Sequence, residues 1–547
     1  MSSKAVNYLL QSKIFVTLFI IVLILSSSVL LLSPVEPSTP KLNKITVPDE
    51  RTFNLSDYPV IDRRVIGLWN SLREMYAVDD FSNESINDLS ILPNILTQYF
   101  IAFTTYGMAQ IVDSTPSYRT DYYKKLFQKL ILMMNSSAME DFEWILPGFA
   151  DDRYEALGND FRGPTNIMWT GHYALMELLY YNIFRESSYN AEIKWFMDDW
   201  NNSLTATTTW DNKTSVDGSG RPLGLWGTGL ISCEPYIVFV QCNSIPFYAM
   251  TLYDKLHGTN YRQSIEPGID WWREHMTDAN GIQIDGYYIA EPYTEQHQFE
   301  VLGEIPGPAL EPGLESENIP GVANYGSSWA IAFYNGFGKT EIADTYYRNW
   351  KKQFVHYSPN DQAYAPHSYH RPNSFTVFDL IGNLFSYFCS REMNDLELFR
   401  KLENWFYGPF PGEWDGYKYG FDTGALGDIG PFMNPILNFA YAWCHADSTL
   451  TNLMDPRDDS FYTTTPFISK ESTLDGLFIY QAYFDEEEDA FILTVEANKE
   501  TILTFYQFPD VQGVYTKSGA YEEAKWEQNG DQMVLTLPPG TYSFVII

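Results

Sequence analysis

One pattern repeats through most of the chain and limits its fold: a segment with apolar residues at helical spacing, then a loop rich in Gly, Pro or Asn. Between about Val60 and Ser448, roughly 390 residues divided by a helix-plus-loop unit of about 32 residues give about twelve helices. The predicted helices include Asn166–Phe184, Ile245–His257 and Thr340–Phe354. A count of about twelve helices favours antiparallel helical hairpins arranged in a ring. Long loops such as Glu291–Pro320 should then gather at one end of the ring and form the pocket.

The N-terminal segment predicts a membrane anchor. Lys4 and Lys13 precede an uninterrupted apolar run, Ile14–Leu32, which is long enough as a helix to cross a hydrocarbon core of about 30 Å. No clear small-residue cleavage site follows, so we favour an uncleaved anchor at 14–33 over a signal peptide. The preceding lysines place residues 1–13 in the cytoplasm and the body outside, as in a single-pass membrane protein.

Two further regions flank the helical body, which is predicted to span residues 60–450. Residues 34–59 are rich in Pro, Ser and charge and are predicted to be a linker. Residues 455–547 contain short β-branched and aromatic runs separated by turn residues, which predict a small antiparallel, β-sandwich-like domain. This domain has no ionisable cluster that suggests catalysis, so we expect it to pack against the helical body.

The net charge of the chain makes polyanionic partners unfavourable. The sequence has 70 acidic and 35 basic residues, a formal net charge of −35. Such a field disfavours nucleic acids and anionic lipid surfaces.

The first stretch with chemical potential is Ile231–Ser244, which holds two of the four cysteines nine residues apart, Cys233 and Cys242. No Cys-x-x-Cys or His-x-x-x-His accompanies them, so a metal site is not favoured. Two alternatives stay open: thiols that exchange protons with a substrate, or a disulfide, which the extracytoplasmic location favours. Cys389 and Cys444 are either a second disulfide or ordinary buried thiols.

The second stretch is Gly163–His172. After its Gly-Pro turn a helix can begin, which would place Met168 and His172 on one face. A lone histidine on an apolar face is more often a satisfied core residue than a functional one, so this signal is weak alone.

Together the two stretches resemble the linalool dehydratase/isomerase family. The resemblance rests on Asn166-Ile167-Met168, Gly171-His172, Cys233-Glu234-Pro235 and Gln241-Cys242-Asn243-Ser244, in this order and with the nine-residue cysteine spacing. It covers the helical body but not the anchor or the β-domain. It implies an (α/α)6 barrel, in agreement with the helix count. It also implies interconversion of geraniol and linalool and dehydration of linalool to myrcene, without a metal or organic cofactor, in a cyclic homo-oligomer.

The resemblance also implies roles for particular residues. Matching positions predict His172, Cys233 and Cys242 as catalytic, and Met168 and Gln241 as substrate contacts. Two further segments resemble those that supply family tyrosines, and a weaker match opens a Gly-Ser-Ser-Trp helix. Apart from the resemblance, an aromatic ring stabilises an allylic cation, and a carboxylate beside a cysteine raises its thiol pKa. The two segments predict Tyr99 and Tyr118 as catalytic residues, and the weaker match predicts Tyr325 as a substrate-binding residue. The ring of Phe239 and the carboxylate of Glu234, which follows Cys233, are also predicted to bind the substrate.

One departure from the family matters. The family has an acidic residue shortly before its first tyrosine, whereas residues 91–96 here offer none, and Asn94 is neutral. Either the proton route differs or the substrate does.

Removal of water from an allylic alcohol needs an acid for the departing hydroxyl and a base for a proton on carbon, both within about 3 Å. Two thiols in different surroundings can divide these tasks, or one thiolate can form a thioether with the allyl carbon before elimination. The sequence leaves both routes open. The expected substrate is a small apolar alcohol.

Two other classes of function remain. An (α/α)6 barrel with a β-domain also describes glycoside hydrolases and lyases that use paired carboxylates. The candidates for such a pair are Asp151 with Asp152, Glu291, and Glu413 with Asp415. The remaining alternative is a non-catalytic surface barrel in which Cys233 and Cys242 form a structural disulfide.

Overall fold

The computed structural model describes most of the helical body and the whole C-terminal region except two residues. The described residues are 39–75, 97–135, 167–205, 229–231, 233, 237–288, 307–311, 317–371, 377–408, 411–421, 448–522 and 525–547. The predicted anchor at 14–33 lies outside them. Within these ranges, no helix has both the length and the apolar character needed to cross a membrane.

The described part of the body is mainly helical, as predicted. Its α-helices are α1 (Arg63–Met75), α2 (Thr97–Ser114), α3 (Asp121–Met134), α4 (Ile167–Phe184), α5 (Asn190–Thr205), α6 (Val240–His257), α7 (Glu266–His275), α8 (Asn324–Gly336), α9 (Thr340–Phe354), α10 (Val377–Glu392), α11 (Leu396–Tyr407), α12 (Leu450–Leu453) and α13 (Asp459–Thr464).

Alternate helices form an inner layer. In chain order, α2 contacts α4, α4 contacts α6, α6 contacts α8 and α8 contacts α10. Phe103 of α2 also packs edge-on against Phe385 of α10, with ring centroids 5.5 Å apart, so the first and last of these five described helices are in contact. Helices α3, α5, α9 and α11 each pack on the inner helix that precedes them. Four inner helices thus each form a hairpin with the helix that follows, among the described residues.

The burial pattern explains which helices lie inside. Helix α4 is apolar on nearly every side, and its residues 171–180 are all buried. Helix α9 buries only one stripe, whose members recur at helical spacing: Ala343, Tyr346, Tyr347, Trp350 and Phe354. A helix that is apolar all round must be surrounded, whereas an amphipathic helix covers a core with one face.

Two residues of α4 and α6 set how closely these helices pack. A Cβ added at Gly171 would lie 3.3 Å from Cδ of Pro246, so the missing side chain permits close packing. Pro246 lies inside α6 and has no N–H, so the carbonyl of Cys242 lacks its usual donor four residues later. Helix α6 ends at Gly258, whose φ of 66° suits a left-handed cap.

Strands are short in the body and longer after it. They are β1 (Lys44–Thr46), β2 (Thr52–Asn54), β3 (Ile237–Phe239), β4 (Gly286–Tyr288), β5 (Gly307–Pro308), β6 (His356–Ser358), β7 (Gln362–Tyr364), β8 (Gly412–Asp415), β9 (Lys418–Phe421), β10 (Phe467–Glu471), β11 (Leu477–Asp485), β12 (Ala490–Ala497), β13 (Thr501–Tyr506), β14 (Val514–Thr516), β15 (Gly519–Ala520), β16 (Trp526–Asn529), β17 (Gln532–Leu537) and β18 (Gly540–Ile546).

The C-terminal strands form two antiparallel sheets, with the orders β10-β13-β17-β16 and β11-β12-β18-β14-β15. Phe491 of the second sheet packs edge-on against Phe505 of the first, with ring centroids 5.1 Å apart. The described strands thus agree with the predicted antiparallel β-domain, which we call the β-sandwich.

Residues 39–58 differ from the predicted linker. Strands β1 and β2 pair antiparallel, Ile45 opposite Phe53, and both side chains are buried. They pack on Ile492 and Val545 of the β-sandwich. The alternation of exposed and buried residues in β1 is that of a strand with one covered face. The Pro, Ser and charged residues of this segment had indicated a linker instead.

The β-sandwich and the helical body share one hydrophobic core. The N–H of Ile468 donates to the carbonyl of Ser117 at 2.7 Å, and the N–H of Arg119 donates to the carbonyl of Ile468 at 3.1 Å. Arg63 of α1 forms an ion pair with Glu496, and its guanidinium lies 4.3 Å from the ring centroid of Phe478. The expectation that this domain packs on the body therefore agrees with these contacts.

Candidate functional site

His172 lies on the buried side of α4 and has no solvent exposure. Its Nδ1 shares a hydrogen bond with the hydroxyl of Tyr106, 2.7 Å away. Three further rings surround it, those of Tyr99 (centroid 5.5 Å), Phe103 (5.5 Å) and Trp329 (5.6 Å). Among the described residues nothing forms a hydrogen bond with Nε2.

Helix α2 supplies three of these neighbours. Tyr99, Phe103 and Tyr106 are four and three residues apart, so they share one face of the helix. The structure places Tyr99, which the resemblance predicts to be catalytic, against His172. Tyr106 was missed, and its signal was this spacing from Tyr99.

Burial controls the charge of the histidine. The loss of hydration lowers the pKa of His172 from 6.5 to about 3. The imidazole is therefore neutral at physiological pH, and its tautomer follows from whether Tyr106 donates or accepts. A neutral imidazole whose Nε2 has no partner within the described ranges can contact a hydroxyl group or take up a proton for a short time.

Cys233 and Cys242 are joined in a disulfide, one of the two alternatives that the sequence left open. Their Cα atoms are 6.3 Å apart, and both residues are buried. Thiol chemistry at these positions therefore requires reduction first. Cys389 is a free, buried thiol, and Cys444 lies outside the described residues.

A half-buried aspartate with a buried Oδ1 atom, which the sequence analysis missed, lies beside two predicted substrate contacts. Oδ2 of Asp285 accepts a hydrogen bond from the hydroxyl of Tyr325, 3.2 Å away. Oδ1 lies against Gly326, because a Cβ added there would be 1.8 Å from it and 3.2 Å from Oε1 of Gln241. The signal in the sequence was a single acid among the apolar residues Ile282, Ile284 and Tyr287.

The pKa of Asp285 is raised from 3.8 to about 7. Burial is the main cause, because it penalises the carboxylate, and hydrogen bonds from Tyr325 and Gln241 act in the opposite direction. An acid that titrates near neutral pH is suited to proton transfer under physiological conditions.

Helices α6 and α8 connect these groups. Trp329 beside His172 and Tyr325 beside Asp285 are four residues apart on α8. Gln241 directly precedes Cys242 on α6, and the N–H of Val240 donates to the carbonyl of Asp285 at 3.1 Å. The histidine, the disulfide and the carboxyl group thus lie on neighbouring elements, and we call them together the His172 site.

The other predicted residues are placed as follows. Tyr118 lies apart from His172, past the opposite end of α2 and roughly 22 Å along its axis from Tyr99. It is buried against the β-sandwich, beside Ile468. Phe239 is half-buried at the start of α6. Glu234 and the side chain of Met168 lie outside the described parts.

The structure gives the paired-carboxylate candidates little support. Glu413 and Asp415 are exposed on the hairpin of β8 and β9. Asp151, Asp152 and Glu291 lie outside the described residues. Over the described ranges, no group of three or more His, Cys, Asp or Glu side chains is arranged to hold a metal ion.

A comparison with known protein families finds a match over the segment that contains the His172 site. Residues 98–299 match the linalool dehydratase/isomerase family. This linalool dehydratase/isomerase segment begins one residue before Tyr99 and includes His172, both cysteines and Asp285. The family named from the sequence is thereby confirmed for this part of the chain.

A solved structure is also similar over a larger share of the chain. It is the crystal structure of a GH127 β-L-arabinofuranosidase from Geobacillus stearothermophilus T6, with 11% identity and a TM-score of 0.33. The match covers 88% of this chain and 75% of that chain. A TM-score of this size does not support a shared fold.

Proposed function

We propose that the protein removes water from, or isomerises, a small apolar allylic alcohol at the His172 site, without a metal or organic cofactor. The family match over residues 98–299 carries this proposal. The arrangement of the site supports it, since a neutral imidazole among aromatic rings offers a hydrogen bond and apolar walls. The complete (α/α)6 barrel and its cyclic assembly belong to the same proposal, as does anchoring through residues 14–33 with the body outside.

The cysteines have a stated part in the proposed reaction. In the reduced protein, the thiols of Cys233 and Cys242 exchange protons with the substrate or bind it covalently, and the disulfide is the inactive state. Tyr99 and Trp329 face His172 and stabilise positive charge on the allyl group, each by about 0.5 to 2 kcal/mol.

The test compares oxidised with reduced protein. The purified full-length chain is incubated with linalool and with geraniol, with and without a thiol reductant in the absence of oxygen. Products are measured by gas chromatography and mass spectrometry. We expect myrcene or the isomeric alcohol only after reduction, and loss of product in Cys233→Ala and Cys242→Ala.

Cys389→Ala provides the matched control, because this buried thiol lies outside the pair. Its activity should equal that of the unchanged protein. Product formation that persists in both pair variants would show that the thiols are not needed.

The disulfide favours one other candidate function, a non-catalytic surface barrel. Thiol titration separates the two. If the reduced, folded protein has two additional titratable thiols yet converts neither alcohol nor related allylic alcohols, the structural role is supported.

A further inference from the structure

A cleft with a volume of about 530 Å³ lies between the β-sandwich and the helical body. One wall is the outward face of the sheet β10-β13-β17-β16, because the lining residues of β13 and β17 alternate with buried ones. The other wall comes from the start of α3, the end of α4 and α13. Phe184, in this second wall, follows His172 by twelve residues on α4, roughly 18 Å along the helix axis. The cleft is therefore separate from the His172 site.

Arg119 lines this cleft and is held between aromatic rings. The centroid distances from its guanidinium are 4.8 Å to Phe461, 5.1 Å to Tyr462 and 4.5 Å to Phe467. Its Nε and Nη2 atoms are buried, and within the described parts of the chain neither donates a hydrogen bond. The guanidinium thus has ring contacts on its faces but no acceptor for these two nitrogens.

Two other arginines contact the same rings, and both are paired with an acid. Arg457 forms an ion pair with Asp113 at 3.2 Å. Arg185 forms one with Asp459 at 2.9 Å. Ring faces attract a cation, but they offer no lone pair in the plane in which the guanidinium N–H groups point. Arg119 therefore carries a largely desolvated charge that its aromatic neighbours only partly compensate, and an anion in the cleft would complete its environment.

The charges that line the cleft suit a ligand with one negative charge. Lys124 and Lys470 accompany Arg119, and Asp121 is the acidic residue among the described lining residues. Glu186 forms an ion pair with Lys124, and Asp121 offsets one of the other two cations, so one positive charge remains. The net charge of −35 is spread over the whole chain, and salt screens charges beyond about 8 Å at physiological ionic strength. The local cations therefore dominate inside the cleft.

The sheet face adds an aromatic surface and groups that form hydrogen bonds. Tyr506 is 42% exposed and stacks with Phe467, with ring centroids 6.4 Å apart. Ser469, Thr504 and Gln532 bring two hydroxyl groups and an amide to the same cleft. One face of a pyranose ring carries C–H groups that pack on an aromatic ring, while the hydroxyl groups at its edge need donors and acceptors. This combination favours a sugar ring over a wholly apolar ligand.

We propose that the cleft binds a sugar with one carboxylate, such as a uronic acid, with the carboxylate at Arg119 and the ring against Tyr506. The β-sandwich then has a binding role in addition to its packing on the helical body. This site does not depend on the proposed reaction of an allylic alcohol, because the two sites share no residue.

The first experiment measures binding of D-glucuronate to the purified full-length chain by ligand-observed NMR titration. D-Glucose lacks the carboxylate and cyclohexanecarboxylate lacks the hydroxyl groups, so these two compounds are the matched controls. We expect glucuronate to bind with a Kd of about 1 mM, and each control to bind at least about tenfold more weakly. Failure of glucuronate to saturate the protein by about 20 mM would overturn the proposal. Equal binding of cyclohexanecarboxylate would overturn the assignment to a sugar.

The second experiment tests the guanidinium. Arg119→Met keeps the apolar stem and removes the charge, so glucuronate binding should weaken by about 10- to 100-fold. This substitution also removes an uncompensated buried charge, so the thermal midpoint should stay the same or rise. The control is Arg400→Met, which replaces an exposed arginine paired with Asp361 on α11 and should leave the Kd within about twofold. An unchanged Kd in Arg119→Met would refute the site.

A third experiment changes exposed residues only, so that folding is preserved. Tyr506→Ala removes the ring on which the sugar packs and should weaken glucuronate binding by about tenfold. The control is Ile502→Ala, because Ile502 is 40% exposed on the same face of β13 but is not among the residues that line the cleft. Equal effects of the two substitutions would show that the sugar does not lie on the sheet. Binding is measured without turnover, so its outcome is independent of the test with linalool and geraniol.

Discussion

Acidification should destabilise the protein through His172. This imidazole is fully buried, and its pKa is lowered from 6.5 to about 3. A base with a lower pKa in the folded state binds fewer protons there than in the unfolded chain. Its contribution to stability is therefore complete above pH 6.5 and is lost progressively as the pH falls toward 3. For one such group the free energy of unfolding should fall by roughly 2 kcal/mol between about pH 7.5 and about pH 5.

The assay is urea unfolding of the parent protein and His172→Gln at these two pH values, followed by tryptophan fluorescence. The pH-dependent loss should be about 2 kcal/mol smaller in His172→Gln, whatever the effect of that substitution on stability at neutral pH. The control is His275→Gln, which replaces an exposed histidine at the end of α7.

Equal pH dependence in the parent and His172→Gln, to within about 0.5 kcal/mol, would show that His172 takes up its proton as easily in the folded state as in the unfolded chain. The claim that the site holds a neutral imidazole would then be wrong.

Three other substitutions test separate contacts. Tyr106→Phe leaves Nδ1 of His172 without a partner and should lower the free energy of unfolding by about 1 to 3 kcal/mol, measured by urea denaturation. In Gly326→Ala the higher helix propensity of alanine should stabilise α8 by about 1 kcal/mol, but the new Cβ would overlap Asp285. The thermal midpoint should therefore fall, and a higher midpoint would contradict this contact. Arg63→Met keeps the packing but removes the ion-pair partner of the half-buried Glu496, which retains the hydrogen bond from Tyr480, so calorimetry should show a loss of about 1 to 3 kcal/mol.

The sequence predicted the helices well where periodicity was clear. Thr340–Phe354 matches α9 at both ends, and the predicted Asn166–Phe184 differs from α4 by one residue. The start of α6 was predicted too late, at Ile245, because proline at 246 is typical of a first turn. Here the proline lies inside the helix, and the cysteine stretch therefore runs from strand directly into helix.

Prediction of the site was limited by distance along the chain. The resemblance predicted both Tyr99 and His172 as site residues, because both lie in segments that resemble the family. It also predicted Tyr118 to be catalytic, whereas this residue lies past the far end of α2, where the β-sandwich covers it. Asp285 gave almost no local signal, because its raised pKa arises from burial against α6 and α8, which only the tertiary structure creates.

The hairpin of β1 and β2 has a consequence for synthesis. It packs on strands that include β18, the last of the described strands, which lies between β12 and β14. Translation of the intervening chain, roughly 490 residues at about 5 to 20 residues per second, takes between about half a minute and a minute and a half. During that time the surface that covers Ile45 and Phe53 is incomplete, because Val545 of β18 has not been made. The first described residues to leave the ribosome must therefore be among the last to dock, and a nascent chain that pauses before β18 would expose this apolar pair to chaperones or to other chains.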